Sequence, residues 1–80
     1  MIYTVEKTVY INGITVYNIN YGYINGLLKV HNNTFEFIPI NGVEDGRDTT
    51  DLYLQGHIVD GRVYNGHKIL VKAINAAIQL

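Results

Sequence analysis

Apolar and polar residues alternate with a period of two through most of the first forty positions, and short polar pairs interrupt the alternation. That period puts successive side chains on opposite faces of a strand. Runs rich in Val, Ile, Thr, Tyr and Phe predict strands over residues 2–11, 14–24, 27–31 and 34–40. Asn12-Gly13, Asn25-Gly26 and Asn32-Asn33 separate them. Six of the eight glycines follow Asn or Asp, at 12–13, 25–26, 41–42, 45–46, 60–61 and 65–66. Such pairs tolerate positive φ, which two-residue hairpin turns require. Ile-Asn-Gly occurs three times, at 11–13, 24–26 and 40–42, with unequal spacing, so it reads as turn punctuation and not as a structural repeat.

Two-residue turns fix a register. Around Asn12-Gly13 they place Ile11 opposite Ile14, Val9 opposite Val16, Thr8 opposite Tyr17 and Thr4 opposite Tyr21. Around Asn25-Gly26 they place Tyr23 opposite Leu28 and Tyr21 opposite Val30. Around Asn32-Asn33, Val30 faces Phe35, Leu28 faces Phe37 and Lys29 faces Glu36, a favourable cross-strand ion pair. One face then collects Tyr17, Ile19, Tyr21, Tyr23, Leu28, Val30, Phe35 and Phe37, an apolar core. The other holds Val5, Val9, Ile11, Ile14 and Val16 near the first turn, with Lys7, Asn18, Asn20, Lys29, His31 and Glu36 around them.

Residues 41–50 are polar and carry no apolar period. A fifth strand is expected over 51–59, and Asp60-Gly61 turns it into a short sixth over 62–64, with His57 opposite Tyr64. After Asn65-Gly66 the period changes. Ile69, Leu70, Ala73, Ile74, Ala77 and Ile78 form one stripe on an α-helix, with Lys68, Lys72, Asn75 and Gln79 on its other side or margins. Asn65 is the expected N-cap. A strand over 67–73 closing the sheet is the alternative. The expected fold is α+β and β-rich: an antiparallel meander of five to six strands over about 2–64, joined by Asn-Gly and Asp-Gly hairpins. A C-terminal helix over about 66–79 packs on one face, in a single domain over 1–80. A small closed β-barrel is the alternative architecture.

Such a helix covers one face only. The Val5, Val9, Ile11, Ile14 and Val16 patch is then left for a second copy of the chain, since contiguous exposed apolar surface marks interfaces. Composition strengthens that expectation. Only 16% of residues are charged and the net charge is −1, so little repulsion separates copies. The same numbers exclude a generic duplex nucleic-acid binder, which needs a basic surface. With no cysteine there is no disulfide framework and no thiolate metal site. No leader-like start and no membrane-length apolar run appears, so the expected compartment is the cytoplasm. This composition is common among small phage and archaeal-virus proteins, for which that would be the host cytoplasm.

Candidate chemistry is sparse. Asp45, Asp48 and Asp51 lack the alternation and the closing Glu of a calcium loop. His31, His57 and His67 have no diagnostic zinc spacing. Threonine is the only hydroxyl nucleophile apart from tyrosine, and Thr49-Thr50-Asp51 has no adjacent base. No cofactor, no metal and no catalysis are therefore expected. Seven tyrosines offer contact area with a polar tip; Tyr17, Tyr21 and Tyr23 are assigned to the core, and Tyr3, Tyr10, Tyr53 and Tyr64 to an edge or interface. The chain thus reads as a self-associating, non-catalytic binding protein that engages a protein partner, blocking it as a phage-type inhibitor would, or serves as an assembly subunit. The alternative is an oligomeric sponge for a small nucleotide-like anion at a subunit interface, held by Lys7, Asn18, Asn20, Lys29, His31, Arg47, Arg62 and Tyr64.

Overall fold

A computed structural model describes residues 3–22, 24–40 and 52–80, together with the backbone of Val43, Glu44, Arg47 and Asp48. The chain forms β1 (Tyr3–Val9), β2 (Thr15–Tyr21), β3 (Ile24–His31), β4 (Thr34–Pro39), β5 (Val43–Glu44), β6 (Arg47–Asp48), β7 (Leu54–His57) and α1 (Lys68–Ile78). Five strands make one antiparallel sheet in the order β1-β2-β3-β4-β7, and β5 pairs with β6 in a separate ribbon. β1 and β7 are the two edges of an open sheet, so the barrel alternative is not realised. Residues 68–78 are helical, which excludes the alternative of a closing strand there. Expected turns at Asn41-Gly42 and Asp45-Gly46, and the core position Tyr23, lie outside the described residues.

The β3–β4 hairpin has the expected register. Val30 pairs with Phe35, Lys29 with Glu36 and Leu28 with Phe37, across a turn in which Asn32 has φ +56°. Asp60-Gly61 also turns as expected, with φ +53° and +76°, and Val59 and Arg62 exchange both backbone hydrogen bonds across it at 2.9 and 3.0 Å. Positive φ at both central residues is the signature of a type I′ turn. The sixth strand over 62–64 reduces to this single bridge.

Two registers differ from expectation. The first hairpin closes with a three-residue loop. Tyr10 N–H donates to Ile14 O at 2.8 Å, Gly13 N–H donates to Tyr10 O at 3.1 Å, and Gly13 takes φ +87°. This is a tight turn followed by a left-handed glycine. Asn12 Oδ1 secures it by accepting from Ile14 N–H at 3.2 Å. The pairing slips by one residue, to Val9 opposite Thr15, Thr8 opposite Val16, Lys7 opposite Tyr17 and Tyr3 opposite Tyr21. A one-residue slip turns every β1 side chain to the other face.

The second difference is at Asn25-Gly26, which lies inside β3 and is not a turn. The chain reverses at Gly22, φ +63°, and Tyr21 pairs with Ile24. Gly26 serves a close approach: a Cβ there would stand 2.5 Å from Ile38 O and from the Phe37 ring. The resulting register sets Tyr17 opposite Leu28 and Thr15 opposite Val30. That is an even shift from the expected pairing, so the faces of β2 and β3 survive unchanged.

α1 lies on the face bearing Tyr17, Ile19, Ile24, Leu28, Phe35 and Phe37, and buries Leu70, Ala73, Ile74 and Ala77 against them. Leu52 and Val63 are buried in the same core, and Tyr3, Val5, Tyr21, Val30 and Leu54 pack at its margin. Val5 thus belongs to the helix-covered side, and Tyr3 does too. Its ring meets Tyr21 edge-on at 5.0 Å, and its hydroxyl donates to Ala73 O at 3.3 Å. The helix starts at Lys68 with His67 at the N-cap position, not Asn65. Asn75, expected on the polar side or its margin, is buried and holds the Val59–Arg62 turn to the helix. Its Oδ1 accepts from Val63 N–H at 2.7 Å and its Nδ2 donates to Val63 O at 2.9 Å.

Candidate functional site

The side of the sheet away from α1 is uncovered among the described residues. Its side chains follow from the registers in rows across the strands. One row runs Glu6, Asn18, Leu27, Ile38; the next runs Thr8, Val16, Lys29, Glu36, Gln55; Thr34 and His57 pair in a third, with His31 opposite Thr34. Ile14, Val16, Leu27 and Ile38 make an apolar diagonal across this face, each partly shielded by its neighbours. A solvated antiparallel face should be polar. This one is polar only on either side of the diagonal: Glu6, Asn18 and Asn20 toward β1, and Lys29, Glu36, Gln55 and His57 toward β7.

Two grooves indent the face. One of about 350 Å³ is lined by Tyr10, Asn12, Ile14, Val16, Leu27 and Lys29. The other, about 600 Å³, runs from Ile14 past Lys29, His31, Glu36 and Gln55 to His57. Its polar groups are already partly committed. Thr34 Oγ1 donates to His31 O at 2.8 Å, closing the β3–β4 turn. Glu36 Oε2 accepts from the Tyr53 hydroxyl, which also reaches Gln55 Oε1 at 3.4 Å. The carboxylate acceptor, followed by a smaller contribution from burial, raises the Tyr53 phenol above its ordinary value, because ionising it would break the bond and oppose two negative charges.

The residues expected to hold an anion do not converge. Asn18, Asn20, Lys29 and His31 share the uncovered face. Lys7 lies on the helix-covered side, with Nζ 5.9 Å from the centre of the Tyr17 ring and donating to Leu80 O at 3.4 Å. Arg62 lies beside α1, and Tyr64 lines a groove of about 340 Å³ between β7 and the Asp60-Gly61 turn, together with His57. The Arg47 side chain lies outside the described residues, as do Asp45, Thr49, Thr50 and Asp51 and the side chain of Asp48.

The expected apolar patch is likewise divided. Ile14 and Val16 stand on the diagonal, Val5 packs against the core, and Val9 and Ile11 are exposed at the first hairpin's end. Sequence reasoning missed Leu27 and Ile38. The turn expected at Asn25-Gly26 puts Leu27 directly after it, whereas Leu27 lies inside β3 with Ile38 opposite it in β4. Their signal was the alternation itself. Leu27, Lys29 and His31 occupy odd positions of β3, opposite in sense to core-facing Leu28 and Val30.

No family model, curated protein or solved structure matches the chain. No helix among the described residues is long and apolar enough to cross a membrane.

Proposed function

We propose that this chain is a small non-catalytic binding protein that works as a self-associated assembly unit, with the uncovered sheet face as its contact surface. The observation that carries this reading is the apolar diagonal Ile14, Val16, Leu27 and Ile38 on a face that α1 does not reach. The occupant we assign is a second copy of the same face. Lys29 and Glu36 sit opposite one another in register, so the centre of the face has little net field. A two-fold-related copy therefore meets no like-charge barrier, and isologous contact needs only self-complementarity. A cysteine-free domain of 80 residues also gains stability by burying such a face. The assembled protein then presents its remaining surface to a protein partner.

Light scattering on the purified chain tests this. The wild type should run as a dimer or larger. Leu27→Glu and Val16→Glu should each give a monomer with an unchanged far-ultraviolet circular dichroism spectrum, since both side chains point away from the core. A wild-type monomer at high concentration would remove the reading.

A further inference from the structure

We infer that the groove between α1 and the Val59–Arg62 turn is a binding site for a small molecule carrying a diphosphate. The groove has a volume of about 400 Å³, and Arg62, Lys68 and Lys72 line it with Ala76 and Gln79. These are half of the chain's six lysines and arginines, gathered in one place on a protein of net charge −1. No acidic side chain is among the described residues lining it, and none of the three cations forms an ion pair with a described residue.

Stability does not account for this clustering. Lys68 and Lys72 are four apart on one helix, where like charges repel. Lys68 also occupies the first helical turn, where the macrodipole disfavours a cation, and that turn has no acidic residue to offset it. The arrangement is held in place all the same. The two hydrogen bonds between the buried Asn75 amide and the Val63 backbone, one accepted and one donated, fix Val63, and so fix where the backbone of Arg62 stands relative to the helix. A cation held by a rigid backbone opposite two others loses less entropy on binding than a mobile one.

Three cations match the charge of a diphosphate near neutral pH and exceed that of one phosphate. Arginine adds a planar fork suited to phosphate oxygens. The volume falls within the range of small-molecule sites. A nucleic acid fits less well, because the described cations outside the groove give no track for successive phosphates. Lys7 is drawn to Leu80, beyond the C-terminal end of α1, and Lys29 lies across from Glu36 on the opposite face. The site is on the helix side, so its failure would leave the sheet-face reading standing, and the reverse.

The test is a titration of the full chain with sodium pyrophosphate, followed by calorimetry and by amide NMR shifts. We expect saturable binding, one site per chain, with shifts centred on Arg62, Lys68, Lys72 and Ala76. Lys72→Gln and Arg62→Gln should each weaken binding at least ten-fold, while Lys7→Gln, an equal change of charge elsewhere, leaves it within two-fold. Dispersed NMR spectra of both groove variants would show that they remain folded. Absence of saturation, or equal weakening by Lys7→Gln, would overturn the site. Orthophosphate binding as tightly as pyrophosphate would overturn the diphosphate assignment. Tighter binding of a single-stranded oligonucleotide or of anionic lipid vesicles would overturn the small-molecule assignment.

Discussion

Asn75 lies outside the apolar stripe of the helix, yet it is buried, and both ends of its amide are paired: it satisfies the backbone N–H and C=O of buried Val63 as a neighbouring strand would. Asn75→Ala leaves both backbone groups without partners in a buried position, and should cost about 2–4 kcal/mol in urea unfolding. Asn75→Asp keeps the acceptor but sets a carboxylate against Val63 O, and should be no better. Helical periodicity could place this residue only at the margin of the stripe, because a polar side chain carries no mark of the backbone it will meet. Gly26 was misread for a related reason. Asn-Gly is the strongest local turn signal, but here the missing Cβ serves a tertiary contact. Gly26→Ala should cost about 2–3 kcal/mol, since Ile38 O and the Phe37 ring occupy the space. The tyrosines give a pH signature. Burial raises Tyr3 and Tyr17, with the neighbouring Tyr21 adding to Tyr3, and the Glu36 hydrogen bond raises Tyr53, all above the ordinary 10.0. A folded value above the unfolded one means that the stabilisation is complete below pH 10 and is lost as pH rises through the folded value. Absorbance titration near 295 nm should therefore show a late-ionising class in the native protein, absent in denaturant and smaller by one in Tyr53→Phe.

Among the elements, β1 and α1 teach most. The existence and order of the first four strands were legible in the alternation, and so was the β3–β4 register, because Lys29 opposite Glu36 checks it independently. The β1–β2 register was not. A two-residue and a three-residue loop around Ile11-Asn12-Gly13 use the same residue types, and only the strand they feed differs. The odd slip moved Val5 and Lys7 to the helix-covered side, while the even shift between β2 and β3 left their faces intact. The apolar patch expected from the sequence therefore changes membership: Val5 packs against the core, Val9 and Ile11 stand at the hairpin's end, and Leu27 and Ile38 share the uncovered face with Ile14 and Val16. The helix was legible from its stripe, but its charge pattern reads as a conflict unless a ligand resolves it. Lys68→Glu should show this conflict directly. It places an acid at the N-terminal turn and a Glu four residues before Lys72, and should stabilise the chain by about 0.5–1 kcal/mol. The same change should abolish pyrophosphate binding. A variant that is destabilised, or that still binds, would mean that the cations are there for another reason.

At the scale of the molecule, the described residues form an open five-stranded sheet with two faces and an eleven-residue helix that covers one of them. The covered face holds nearly all of the core, and the other retains an apolar diagonal that no described residue covers fully. On the proposed reading, self-association contributes to stability by mass action, which a folded monomer cannot imitate. Where unfolding separates two chains, a hundred-fold rise in concentration adds about 2.7 kcal/mol per dimer. For a chain of this length that raises Tm by roughly 5–10 °C. Thermal unfolding of the wild type should show this dependence. Leu27→Glu should lower Tm at high concentration and make it independent of concentration, because its charge would be buried without a partner in the dimer and solvated in the monomer. If instead the wild-type Tm does not move with concentration, the diagonal is solvated in the working protein. The partial burial of Val16, Leu27 and Ile38 within the described residues is then enough to keep that face in water.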